Sequence, residues 1–219
     1  MNGMPFWKRQ RNETVNNNTC LIIAGAPECR IPENRAGADF IIACDYGLHH
    51  ALTFGISPHL IIGDFDSYRG TLPKGIPVRR HPPEKDDTDT MLAVKEALER
   101  GYRRIVIAGG LGGRIDHQLA NLSAAAFAAE RGAHCVLVDD QQQIFALRNG
   151  SCRISAGQWT NLSVFAFSDR AEGVTLKGVK YPLSDDVLTN SFPLGVSNSF
   201  AADTAEISVR QGILLIVLS

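Results

Sequence analysis

Continuous apolar runs of strand length at residues 20–26, 40–44, 60–62 and 105–108 constrain this chain more than any other feature. A strand wetted on one face alternates apolar and polar residues. A strand covered on both faces has no reason to, so uninterrupted runs point to a parallel sheet lying between helices. Segments of helical character separate the runs, at 47–54 and 88–100. In the second, Met91, Val94 and Leu98 form one apolar stripe, with Lys95, Glu96 and Glu99 off it. Gly101 stands where a helix is commonly closed. Residues 115–131, rich in alanine and followed by Gly132, read as a third helix, and 134–138 as a further strand. This β–α alternation predicts an α/β fold with an open, mostly parallel sheet and flanking helices.

The rhythm changes near residue 142. Strand-like pieces then follow at 143–147, 152–154, 160–167, 173–176, 204–209 and 213–218, with turn residues between them and no helical stripe. That pattern predicts a C-terminal antiparallel β-sandwich domain, with Trp159, Phe165 and Phe167 in its core. The expected division is a lead-in over 1–19, an α/β domain over 20–149 and a sandwich over 150–219, with the boundary at Asn149-Gly150.

Composition narrows the function. Lys and Arg number 22 against 23 Asp and Glu, for a net charge of −1, where a general nucleic-acid binder would be basic. The five cysteines are odd in number and widely spaced, without a C-x-x-C pair. They argue against a disulfide framework and for a reducing cytoplasm. No apolar segment approaches the roughly 18 residues of a membrane span. Lys8, Arg9 and Arg11 are not followed by the apolar stretch of a signal peptide.

Three acidic motifs carry the chemistry. They are Gly63-Asp64-Phe65-Asp66-Ser67, then Glu84-Lys85-Asp86-Asp87-Thr88-Asp89-Thr90, then Gly112-Gly113-Arg114-Ile115-Asp116-His117. Each falls at an expected strand end or helix start, where ligands of open α/β sheets bind. Like charges about 4 Å apart repel by roughly 4 kcal/mol at an effective dielectric near 20, so a convergent set of this kind needs a cation. Oxygen donors alone suit Mg2+, which also takes substrate phosphates. The plainer readings are an acidic turn for Asp64 and Asp66, a capping acid for Asp86 or Asp87, and a flexible connection for Gly109–Gly113. Asp45, at another strand end, reads by itself as a helix cap, and residues 195–199 read by composition as a polar hairpin turn. The whole set at successive strand ends exceeds what capping requires. It predicts a magnesium-dependent enzyme acting on a phosphorylated substrate.

The succession CDYG, GDFDS, HPPEKDDTDT and GGLGGRIDHQLAN, followed by a β-rich tail with YPL, GVSNSF and GILLIVL, resembles the bacterial type of thiamine pyrophosphokinase over residues 21–218. The resemblance implies an α/β domain that binds ATP and magnesium, a sandwich domain, and a homodimer. Thiamine would lie between the α/β domain of one subunit and the sandwich of the other. It implies catalytic roles for Asp64, Asp66, Asp89 and Asp116, with Asp64, Asp66 and Asp89 on the metal. ATP would meet Asp45, Lys85, Thr88, Gly112, Gly113 and Arg114, and thiamine would meet Ser197 and Asn198. The family commonly has Gly-Gly after the first acid, where this chain has Tyr46-Gly47, a tyrosine placed to crowd or stack on the nucleotide. Two alternatives stay open from the residues: another D-x-D phosphohydrolase or glycosyltransferase, and a non-catalytic regulator that binds thiamine or a nucleotide.

Overall fold

The computed structural model describes residues 18–33, 37–65, 68, 70–80 and 87–219. The described chain forms two compact units, one within residues 17–141 and one over 142–219.

In the first unit the expected apolar runs are strands: β1 (Thr19–Ile23), β2 (Phe40–Cys44), β3 (Leu60–Gly63), β5 (Arg104–Ala108) and β6 (His134–Val138), joined by a short β4 (Val78–Arg80). They pair in parallel in the order β6-β5-β1-β2-β3-β4. Leu21, Ile22, Ile23, Ile42, Ile61, Ile62, Ile105 and Ile107 are fully buried, which is why these strands carry no polar alternation. β1 is shorter than its apolar run. Beyond Ile23 the chain leaves the strand, with the amides of Ala24 and Ala26 donating to the carbonyls of Ala108 and Gly109. β4, with Arg79 and Arg80 exposed, lacked an apolar signal because it is a short charged edge strand. From β1 the chain winds outward to β4 and then returns to β5 on the other side of β1. The crevice between β1 and β5 is therefore the switch point at which such sheets hold ligands.

Helices α1 (Gly47–Thr53), α2 (Asp89–Glu99) and α3 (Ile115–Glu130) connect the strands. The buried side of α2 differs from the expected stripe. Ala93, Val94 and Ala97 are buried, Met91 and Leu98 only half so. Glu96, expected to face away, is buried between Arg79 and Arg100, whose Nε lies 2.7 Å from its Oε1. Small residues let α2 approach its neighbours closely, and two guanidinium groups compensate the carboxylate that comes with it. The alanines of α3 serve the same close approach, with Ala124, Ala125 and Ala128 fully buried.

The second unit consists of β7 (Gln143–Ser155), β8 (Asn161–Ala166), β9 (Arg170–Lys177), β10 (Leu183–Thr189), β11 (Gly195–Ser199) and β12 (Thr204–Leu218), all paired antiparallel. β7 and β12 run alongside each other for their whole length. The first half of β12 also pairs with β9 and the second half with β8, so β12 joins three strands of the unit. The pieces expected at 143–147 and 152–154, and at 204–209 and 213–218, are thus two long strands. Asn149-Gly150, expected as the boundary, lies inside β7, and the two units divide at Gln141–Gln142. Its turn-like composition serves a bulge. Asn149 takes a positive φ of 43° and its Oδ1 accepts from the Gly212 amide at 2.8 Å, opposite the register shift between Val209 and Ile213. Residues 195–199 are strand β11, paired with β8 through an irregular register, and not a turn alone. Leu162, Val164, Val174, Ile207, Leu214 and Ile216 fill the core, while Trp159, Phe165 and Phe167 are only half-buried.

Candidate active site

A cavity of about 630 Å³ opens over the C-terminal ends of β1, β2, β3 and β5. Its acidic wall is built from residues far apart in sequence. Asp45 follows β2 in a left-handed conformation, φ 43°, with its amide donating to Ile62 O at 2.9 Å. Gly63 ends β3 directly against it, and a Cβ at Gly63 would come within 3.2 Å of the Asp45 backbone. Asp64 follows, and Asp89 opens α2. One carboxylate oxygen from each of Asp45, Asp64 and Asp89 lies within 4.8 Å of the others, and all three residues are half-buried. Gly47 seats α1 in this corner, because a Cβ there would stand 2.0 Å from Ile23 O.

Three carboxylates at this separation form an oxygen-only donor set open to a cavity, which fits a hard divalent cation. Of the acids expected on the metal, Asp64 and Asp89 converge here. Asp66 lies outside the described residues, as do Lys85 and Asp86. Asp45, which the resemblance places on ATP, is itself part of the metal-type cluster. Thr88 caps α2, its Oγ1 accepting from the Met91 amide at 3.2 Å. Asp87, a candidate cap, instead meets Lys95 Nζ at 2.7 Å.

The glycine turn after β5 makes the opposite wall. Gly109, Gly112 and Gly113 all have positive φ, and a Cβ at Gly113 would strike Pro27 at 2.8 Å. Arg114 precedes the first turn of α3 and is exposed. Its Nε and Nη2 reach Asp116 at 3.1 and 2.6 Å, a bidentate pair. The Arg114 hydrogen bond holds the Asp116 carboxyl below the usual carboxylate range, and the same bond pushes the guanidinium up. Asp116, expected among the catalytic carboxylates, thus lies outside the Asp45–Asp64–Asp89 cluster and orients Arg114.

Two features escaped the sequence reading. Asn121, buried on α3, donates from Nδ2 to Gly110 O at 2.8 Å and so fixes the glycine turn. Its signal is a lone amide on the buried alanine face. His50 forms a 2.9 Å hydrogen bond from Nε2 to Ala26 O, tying α1 to the loop after β1; burial holds its pKa below the ordinary histidine value.

In the second unit Ser197 is exposed, with φ 56°, and its amide donates to Ser163 Oγ at 3.0 Å. Asn198 is only 3% exposed. Its Oδ1 accepts from the Tyr181 and Ser199 amides at 3.0 Å each, and its Nδ2 donates to Tyr181 O at 2.8 Å. Asn198, expected on thiamine, is committed to holding the backbone at Tyr181.

The sequence profile described as thiamin pyrophosphokinase, catalytic domain, matches residues 33–137, and that described as thiamin pyrophosphokinase, vitamin B1 binding domain, matches residues 151–214. The thiamine pyrophosphokinase of Bacillus subtilis is 32% identical over an alignment of 210 residues that covers 92% of this chain and 98% of the relative. The chain belongs to the thiamine pyrophosphokinase family. The crystal structure of thiamine pyrophosphokinase from B. subtilis superposes with a TM-score of 0.83 at 31% identity, covering 92% of this chain and 99% of that one. A thiamin pyrophosphokinase family protein from Enterococcus faecalis gives 0.78 at 30% identity, covering 92% and 98%. The catalytic-domain match of this thiamine pyrophosphokinase family member ends within β6, and the vitamin B1 match begins within β7 and ends within β12. Among the described residues no helix is long and apolar enough to cross a membrane.

Proposed function

We propose that this chain transfers a pyrophosphoryl group from ATP to the hydroxyethyl oxygen of thiamine, giving thiamine diphosphate and AMP, with Mg2+ as the metal. The observation that carries the proposal is the convergence of Asp45, Asp64 and Asp89 at one end of a parallel sheet, inside the region that matches the catalytic domain. In this reaction the hydroxyl oxygen bonds to the β-phosphorus while the bond from that phosphorus to the α–β bridging oxygen breaks. AMP leaves with the bridging electrons, and the hydroxyl proton goes to a carboxylate, for which Asp89 and Asp66 are the candidates. Asp45, Asp64 and Asp89 would hold the magnesium ion. A bound ion supplies neutralisation of phosphate charge, the main demand of such transfers.

The chain's own groups do the rest. The glycine turn, fixed by Asn121, lets the phosphate chain approach the backbone, and the start of α3 offers amides to it. Arg114, aimed by Asp116, supplies a bidentate cation for the charge that builds on the leaving α-phosphate. Lys85 is a second candidate for that work. The strand-rich unit is read as the thiamine-binding and dimerising part, with Ser197 facing the acceptor and Asn198 holding the wall behind it. Exposed Tyr181, Phe192, Leu194 and Val196 on that unit support a homodimer, because association would cover them. The absence of a disulfide among five buried cysteines accords with a cytoplasmic setting.

Product analysis with ATP, magnesium and thiamine tests the proposal. AMP with thiamine diphosphate is the expected result. ADP or free phosphate would mark a different phosphotransferase or phosphohydrolase, and binding without turnover would mark a regulator.

A further inference from the structure

Tyr46 stands at the rim of the cavity, next in sequence to Asp45 and beside the loop after β1. Apart from His117, it is the single aromatic ring among the described residues that line the cavity. Its ring lies 5.1 Å from that of His49 and 5.2 Å, edge-on, from that of His50. The hydrogen bond from His50 to Ala26 O ties this group to the cavity floor. Gly25 leaves the space below open, since a Cβ there would come within 3.2 Å of Tyr46 Cβ. Tyr46 is nevertheless 38% exposed. The ring is thus held in place while part of its surface faces the cavity.

On its side the loop after β1 and the end of β2 line the cavity with Ala24, Ala26, Pro27 and Cys44, whose side chains offer a nucleobase edge nothing to pair with beyond a weak thiol. The polar side chains of the lining come instead from the acidic cluster, from residues 87–90 at the start of α2 and from Arg114, His117 and Asn121 at α3. Such a wall recognises a flat ring by its face and is indifferent to the pattern on its edge. We propose that Tyr46 is the stacking platform for the nucleobase of the nucleotide substrate, and that this platform accepts purine and pyrimidine bases alike. The proposal rests on the reading above, in which the aspartate cluster takes the phosphate chain and the second unit takes thiamine.

The test is direct binding of magnesium complexes of ATP, GTP, CTP and inorganic tripolyphosphate to wild type, Tyr46→Phe and Tyr46→Ala, by calorimetry. Thiamine KM and thermal denaturation are measured on the same proteins. Wild type should bind the three nucleotides within about tenfold of one another. Tyr46→Ala should bind each about tenfold more weakly, since stacking on an aromatic ring is tolerant of sequence. Tripolyphosphate, which has no base, should bind all three proteins equally, thiamine KM should hold, and Tyr46→Phe should restore nucleotide affinity. The proposal is overturned if tripolyphosphate loses affinity alongside ATP, if thiamine KM rises instead, if Tyr46→Ala binds ATP like wild type, or if wild type binds none of the nucleotides. A wild type that binds nucleotides but makes no thiamine diphosphate sinks the assigned reaction alone, and the binding series still decides the role of Tyr46.

Discussion

Asp64→Asn separates what the acidic cluster does for stability from what it does for chemistry. The substitution keeps the side chain's shape and removes one charge from a set whose oxygens lie within 4.8 Å of one another. At that distance two unit charges repel by about 3.5 kcal/mol at an effective dielectric of 20, and by under about 1 kcal/mol in bulk water. Asp64 faces both Asp45 and Asp89, so two such repulsions are relieved. The cluster is only half-buried and opens to a cavity, which places the relief toward the bulk-water limit summed over the two, about 1–2 kcal/mol in the metal-free protein. For a chain of this size that raises Tm by roughly 2–8 °C. Magnesium should reverse the order. A cation at a hundred times its Kd stabilises the folded state by about 2.7 kcal/mol, and the variant has lost one of the ligands that capture this gain. Thermal scans of both proteins with chelator and with magnesium provide the assay, alongside AMP formation. We expect the variant to melt above wild type in chelator and below it in magnesium, with turnover reduced at least about a hundredfold. A fully active variant, or one with the wild-type magnesium response, would refute the metal assignment.

Asn198→Ala removes three hydrogen bonds around Tyr181 and Ser199. It should cost about 2–3 kcal/mol in denaturant titration, while Ser197→Ala costs well under half of that; equal losses would mean the amide is not structural. His134 is pushed down to about 4 by burial, with the Arg104 charge adding to it. Its neutral ring therefore contributes full stability above the unfolded pKa near 6.5, and that contribution is lost as pH falls toward 4. The loss is at most about 3 kcal/mol, and His134→Gln should flatten the stability profile across that window. Subunit mixing tests the homodimer: Asp64→Asn and Ser197→Tyr chains, each nearly inactive, should regain activity after verified exchange if each site draws on two subunits. Exchange without recovery would place each site within one chain.

Much of the first unit was legible because burial on both faces leaves a plain mark. The runs containing Ile22, Ile42, Ile61 and Ile107 could hardly be wetted, and helices between them leave few arrangements. The second unit was less legible because the same residue types serve turns and bulges. Asn149-Gly150 reads as a domain boundary in one dimension. It is a bulge only because Gly212, 63 residues away in sequence, presents its amide to Asn149 Oδ1. Glu96 was misread for a related reason, since the guanidinium that compensates its burial comes partly from Arg79 on an edge strand without an apolar signal.

The acids at the site were legible as a set, because each sits at a strand end or helix start, but their division of labour was not. Asp45 and Asp64 lie just beyond the ends of neighbouring strands and meet because Gly63 has no side chain to hold Asp45 away. Asp116 belongs to the motif with the most distinctive spelling, yet its partner is only two residues back, at Arg114. Local pairing of that kind aims a cation and withdraws the carboxylate from the metal-type cluster. Asn198 makes a related point in the second unit: an amide beside a positive-φ serine resembles a ligand contact, but it is buried and three of its four hydrogen-bonding positions are taken by backbone groups. A side chain can contact a substrate only with the hydrogen-bonding groups its own fold leaves uncommitted. Sequence shows which groups a residue brings, and only the packed structure shows which of them are already taken.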